Sequence, residues 1–142
     1  MPSDNSLNTA KGRTFQEQVR KVLDNHFGIG FLTDYPVKIG NPPKEHKFDL
    51  VSSDHKYIAE CKNFSWTETG KIPDAKMAKC DQALLYLSLV PINTKKLLIM
   101  RKDTHLDKRE TLAEYYKRTH LHLLADVIIM EFDPLTGKLT QI

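Results

Sequence analysis

Three residues in the middle of the chain have types and spacing that could do chemistry: Asp49, Glu60 and Lys62. They lie in Lys47–Lys62, where two runs rich in apolar and β-branched residues flank a polar Ser53-Asp54-His55-Lys56. That pattern reads as a β-hairpin. A two-residue turn with Asp54 and His55 at its tip pairs Ser52 with Tyr57, Val51 with Ile58 and Leu50 with Ala59. Asp49 then falls opposite Glu60. Side chains alternate along a strand, so Glu60 and Lys62 share a face while Cys61 points away. Opposed like charges destabilise a strand pair, and a divalent cation is the simplest offset. Mg²⁺ takes oxygen ligands, often one or two carboxylates completed by substrate phosphate and water. A lysine beside such a cation can hold a nucleophilic water or steady charge developing on phosphorus. The bland reading of the same residues is a solvated strand face with surface ion pairs worth little; the opposed register argues against it.

The elements that must position this trio follow from periodicity. Met1–Ala10 is polar and reads as a flexible tail, so residues 11–142 form one domain. Phe15, Val19, Val22, Leu23 and Phe27 mark one face of a helix with Thr14 as N-cap, ended by Gly28 and Gly30. Gly30–Gly40 is strand-like, with an interruption around Thr33-Asp34. Asn41–His46 reads as a loop in which Lys44, His46 and the adjoining Lys47 could touch phosphate. Asn63–Ile72 leaves the strand that carries Glu60 and holds the chain's one tryptophan, Trp66. Loops beside rigid strands commonly bind substrate. Trp66 is read either as a base-stacking or partner-contacting residue or as the plug of a satellite core. Pro73–Leu89 is a second helix, with Pro73 at its first position and Pro91 closing it. Lys76 and Lys79 on it face phosphate or water, and Gln82 and Tyr86 share a face.

Lys95–Arg101 is a buried strand. Strand, helix, strand makes a crossover, so this strand runs parallel to the one bearing Glu60. Arg109–His122 is a helix, Asp126–Phe132 a further strand, and Leu139–Ile142 a short hairpin partner. His120-x-His122 lacks a third suitably spaced ligand and does not make a metal site.

Composition is permissive. The chain has 142 residues, a net charge of +3 and 27% charged residues, which suits a soluble domain that could meet nucleic acid without demanding it. No apolar run reaches membrane-spanning length and no signal-peptide pattern opens the chain. Cys61 and Cys80 are not in a C-x-x-C arrangement and read as buried reduced thiols of a cytoplasmic protein.

Asp49 followed by Glu60-Cys61-Lys62 resembles the core motif of the PD-(D/E)XK nuclease superfamily, which includes restriction endonucleases and Holliday-junction resolvases. Phe48 stands where the motif's proline would be. The first helix resembles the family's opening Gly-x-x-Phe-Glu-x-x-Val-x-x-x-Leu at Gly12, Phe15, Val19 and Leu23. It departs at Gln16, where the family has glutamate; Glu17 lies one step further round. Gln82-x-x-x-Tyr86 resembles the Gln-x-x-x-Tyr motif of one branch. The resemblance covers Gly12–Arg101 and implies an α/β fold. Its expected core is restriction endonuclease-like, αβββαβ, a mixed central sheet flanked by helices, here with an extra C-terminal helix and strand. It further implies a Mg²⁺-dependent nuclease, with Mn²⁺ as substitute, acting on DNA as a homodimer. Asp49, Glu60 and the Cys61 main-chain carbonyl would hold the metal, and Lys62 would position water. Gln16, Glu17, Gln82 and Tyr86 would be accessory, and Lys44, Lys47, Trp66, Lys76 and Lys79 would contact nucleic acid. The rival from another class is a catalytically degenerate nuclease fold serving as a nucleic-acid-binding or scaffold module.

Overall fold

The computed structural model describes residues 4–142, with side chains from Ala10 onward. The elements run in the order α1 (Asp4–Phe27), β1 (Phe31–Ile39), β2 (Lys44–Ser52), β3 (Tyr57–Lys62), α2 (Asp74–Ser88), β4 (Lys95–Arg101), α3 (Leu112–His120), β5 (Ile128–Asp133) and β6 (Lys138–Gln141). One turn of 3-10 helix, Leu121–Leu123, follows α3.

The protein is α/β, with one six-stranded mixed sheet whose strands lie side by side in chain order. β3, β4 and β5 are parallel, and the other neighbours are antiparallel. The two crossovers, through α2 and through α3, step the same way across the sheet. A common hand therefore puts both helices on one face. Their buried residues, Met77, Leu84 and Leu87 of α2 with Leu112 and Tyr116 of α3, pack with Ile58, Leu98, Met100 and Ile129. On the opposite face Phe15, Val19 and Leu23 of α1 pack with Leu50, Ala59, Leu97, Ile99 and Phe132. Burial on both faces explains why β4 reads as an unbroken apolar run rather than an alternation. Among the described residues no helix is long and apolar enough to cross a membrane.

Several boundaries differ from the sequence expectation. The backbone is helical from Asp4, so α1 begins within the stretch expected as a tail; residues 1–3 lie outside the described residues. Thr14 is inside α1 rather than capping it, and its hydroxyl donates to the Ala10 carbonyl at 3.0 Å, a bond that satisfies the side chain within the helix. β2 begins at Lys44, so Lys44, His46 and Lys47 are on a strand, not a loop. Pro73 is the cap of α2 rather than its first residue. α3 begins three residues later than expected, at a capping box in which Thr111 accepts from the Glu114 N–H and Glu114 accepts from the Thr111 N–H. That exchange satisfies two otherwise orphaned groups and sets the start of the helix.

The β1–β2 ribbon turns over partway along. Phe31 and Leu50 pack on the α1 face. Tyr35, Val37, Ile39 and Phe48, although of the same parity, pack on the α2–α3 face. The register skips one position, between Thr33↔Leu50 and Tyr35↔Phe48, and Asp34 there has φ 48°. Left-handed backbone is costly for branched side chains and tolerated by aspartate. The expected interruption at Thr33-Asp34 is thus present, and it falls beside Asp49.

Candidate active site

The hairpin register holds: Leu50 faces Ala59 and Val51 faces Ile58. The turn differs. Ser53–Lys56 form a four-residue loop, closed by the His55 N–H on the Ser52 carbonyl at 2.8 Å. His55 has φ 60°, and Asp54 bonds the Ser52 hydroxyl and the Lys56 N–H. The loop keeps the same pairing, so Asp49 and Glu60 come next to one another.

The β2–β3 ladder ends at Leu50↔Ala59, and the two strands part there. In place of a ladder bond the Asp49 carboxylate accepts the Cys61 N–H at 2.7 Å. The N–H and C=O of one residue leave a strand by the same edge, so the Cys61 carbonyl also faces this gap. Asp49 Oδ2 is engaged by the Cys61 N–H and Glu60 Oε1 by His46, and the Asp49 charge is close enough to act on Glu60. Glu60 is only 5% exposed. Burial first, then the Asp49 charge, pushes its carboxyl up to about 9, against an opposing pull from Lys62. At neutral pH Glu60 therefore keeps its proton, and the pair does not carry two charges.

Lys62 shares Glu60's face by alternation and is half-buried in the row containing Met100. Its charge also lowers the proton affinity of His46 and of the Cys61 thiol, which places it among them. The Cys61 thiol is itself pushed well above its ordinary range, mainly by burial.

His46 is the functional candidate that sequence reasoning undervalued. Its Nε2 lies 3.1 Å from Glu60 Oε1, and its ring stacks on Tyr86 of α2 at 3.8 Å and 12°. It also meets Phe48 edge-on at 4.6 Å. Burial holds the imidazole below its ordinary proton affinity, with Asp49 pulling the other way. The stacked pair thus caps Glu60 from the α2 side. Tyr86 reaches the site through His46, whereas Gln82 is exposed and makes no side-chain hydrogen bond among the described residues.

Gln16 and Glu17 separate. Gln16 Nε2 donates to the Asp49 carbonyl at 3.1 Å and to Asp34 Oδ1 at 3.3 Å, clamping the point where the β1–β2 ribbon turns over. Glu17 is exposed and paired with Arg20, so it is not part of the site. Lys44, Lys47, Lys76 and Lys79 are exposed, and the Lys76 ammonium lies 5.1 Å over the Phe64 ring. Trp66 packs against His105 and Tyr115 and, with Tyr115, against the core on the α2–α3 face rather than in a satellite core of its own. His120 bonds Asp81 at 3.0 Å and stacks on Tyr116, so His120 serves the α2–α3 contact, while His122 is exposed.

Among the described residues no group of three or more His, Cys, Asp or Glu is arranged around a common point for a metal. The site offers two carboxylates and a carbonyl edge, the donor set from which Mg²⁺ is commonly held once phosphate and water complete the shell. A carboxyl pair in which the buried member retains a proton is where a divalent cation fits, because the cation can replace that proton. No family model, curated protein or solved structure matches the chain.

Proposed function

We propose that this protein is a metal-dependent nuclease hydrolysing phosphodiester bonds in DNA, an endonuclease built on a restriction endonuclease-like core. The observation that carries the reading is the facing Asp49–Glu60 pair, Glu60 buried and Asp49 half-buried, at the point where β2 and β3 part, with Lys62 on Glu60's face. The element order α1-β1-β2-β3-α2-β4 agrees with the αβββαβ core that the motif resemblance implies. Asp49 and Glu60 would hold Mg²⁺ or Mn²⁺, with the Cys61 carbonyl as a further ligand. The bound cation would supply Lewis acidity and a more acidic water.

The chain's own groups do the rest. Lys62 orients the attacking water and donates to the phosphoryl oxygens as charge builds on them. The His46–Tyr86 stack fixes the Glu60 carboxylate, and Gln16 fixes the Asp49 backbone, since a carboxylate misplaced by one ångström loses much of its effect. One copy of a 142-residue chain spans little duplex, so a homodimer in the cytoplasm would cut both strands.

A second reading is favoured by one specific observation. Gln16 occupies the position at which the resembling family has glutamate, and its amide is used in structural bonds. A degenerate nuclease fold acting as a nucleic-acid-binding module accounts for that. The test is cleavage of supercoiled, linear, branched and single-stranded DNA with Mg²⁺ or Mn²⁺, comparing wild type with Lys62→Ala. The nuclease reading expects metal-dependent cutting, reduced on the order of 10²-fold or more in the variant. Wild type that cuts nothing and binds no Mn²⁺ by calorimetry defeats it and leaves the binding module.

A further inference from the structure

We propose that the cleft between the Asn63–Ile72 segment and α3 binds one unstacked nucleotide, with its base against Trp66 and Tyr115 and its phosphate against Lys71 and Lys108. The proposal deepens the nuclease reading and rests on it for the choice of nucleic acid as partner. The cleft measures about 400 Å³, at the small end of ligand pockets, which suits one nucleotide rather than a base pair.

Its aromatic wall is held in place before any ligand arrives. The Trp66 N–H donates to Asp103 Oδ2 at 2.9 Å and its indole N–H to the Asp103 carbonyl at 3.0 Å. The polar edge of the indole is thereby satisfied. Tyr115 stands 5.4 Å away and tilted by 59°. A base stacking here therefore costs little ordering of the protein, which is how preorganised sites gain affinity.

The rim is tied down by His105. Its Nδ1 accepts the N–H groups of Asp107 and Lys108, so the proton is on Nε2, which donates to the Gly70 carbonyl at 2.8 Å. Gly70 has φ 78°, and a Cβ there would lie 2.9 Å from His105 Nε2. Only glycine permits this approach, and the approach fixes the backbone on both sides of the cleft.

The charge balance leaves cations free. Arg118 is held by Glu110 in two bonds of 2.9 and 3.0 Å, with its guanidinium 5.5 Å over the Tyr115 ring. Lys71 and Lys108 are exposed and in no ion pair among the described residues. Asp74, the remaining carboxylate of the lining, offsets one of them. Aromatic walls with unpaired lysines match an anionic aromatic ligand, the pattern by which single strands are gripped.

Trp66 is the only tryptophan of the chain, so its emission reports the cleft directly. The full-length protein is titrated in EDTA, where nothing is cut, with a deoxynucleoside 5′-monophosphate, a short single-stranded oligonucleotide and inorganic phosphate. The expected result is a saturable change in emission with both nucleotide ligands and none with phosphate. Lys71→Glu/Lys108→Glu, two surface changes checked for fold by circular dichroism, should weaken binding about tenfold or more. An oligonucleotide that binds well above the mononucleotide assigns the cleft to a strand; equal affinities assign it to a free nucleotide, and both uphold a nucleotide site. Three results overturn it: oligonucleotide binding seen by anisotropy with no change at Trp66, an equal response to phosphate alone, or unchanged affinity in the lysine variant. A response at Trp66 in a protein that cuts no DNA with Mg²⁺ or Mn²⁺ and binds no Mn²⁺ sinks the nuclease reading and leaves the cleft standing.

Discussion

Glu60→Gln separates the chemistry of the site from its architecture. The metal-free fold holds the Glu60 carboxyl up at about 9, against an ordinary value near 4.5. In the unfolded chain the group ionises near its ordinary value. A raised carboxyl therefore contributes stability that is fully present below about pH 4.5 and is lost as pH rises toward 9. Each unit costs about 1.4 kcal/mol, so by pH 8 the wild type has lost up to about 5 kcal/mol relative to pH 4. Glutamine has nearly the same shape and never ionises. Allowing for its imperfect fit and for the pair's coupling, Glu60→Gln should stabilise the metal-free protein at pH 8 by about 2–3 kcal/mol. For a domain of this size that corresponds to roughly 6–10 °C in Tm. The assay is thermal unfolding by circular dichroism from pH 5 to 9 in EDTA, wild type beside variant. The difference between the two curves isolates Glu60 from Glu131, whose buried carboxyl is also raised and adds a slope of the same sign to both. Mg²⁺ or Mn²⁺ should then stabilise the wild type more as pH rises, because binding releases the Glu60 proton, and should leave the variant unmoved. A wild-type Tm that stays level against the variant from pH 5 to 9, or a variant less stable at pH 8, would refute the reasoning.

Other consequences follow from single contacts. Gln16→Ala removes the clamp on Asp34 and Asp49 and should cost about 1–2 kcal/mol in urea unfolding, with a parallel loss of metal affinity by calorimetry. Thr111→Ala removes the cap of α3; a loss of about 1–2 kcal/mol is expected by the same measurement. The Cys80 thiol is pushed up to about 12 by burial and Cys61 well upward too. Native protein at pH 8 should therefore react with a disulfide reagent on the order of 10²-fold more slowly than protein in denaturant.

How far the sequence could be read depended on whether each cue was local. The pairing of Leu50 with Ala59 follows from alternation and a turn of even length, so a four-residue loop in place of a two-residue one left the register intact. The crossover that makes β3 and β4 parallel follows from element order alone. The turning-over of the β1–β2 ribbon was only half visible. Asp34 marked an interruption, but alternation continues through it, and nothing in the residue types says that Phe48 and Leu50 pack on opposite faces. His46 was hidden by Asn41-Pro42-Pro43, whose turn signal was carried three residues too far. Its even spacing from Phe48 was the strand cue that could have exposed it. The start of α3 was written in Thr111-x-x-Glu114, an overlooked capping box. Trp66 was a question of tertiary contact: its indole N–H finds a carbonyl 37 residues away, which no local pattern encodes.

The energetics bear on which functional reading deserves the first experiment. A degenerate scaffold asks nothing of Asp49 and Glu60 beyond folding, and for folding they are a burden. With Glu60 buried and Asp49 half-buried opposite it, the two carboxyls destabilise the pair of strands that carries them throughout the neutral range, whereas a Gln–Asp or apolar pair would not. The fold nonetheless invests further structure in keeping them together: the Cys61 N–H on Asp49, the His46–Tyr86 stack over Glu60, and Gln16 on the Asp49 carbonyl. Each keeps the two carboxyls close together, an arrangement that costs stability unless a proton or a cation offsets it. Local departures from good folding practice of this kind concentrate at sites of chemistry. Gln16 does not weaken that argument. In this chain it supports Asp49 from behind by bonding its main chain, so its amide identity answers to the geometry of the ribbon and leaves the two carboxylates as the pair that would hold the proposed metal.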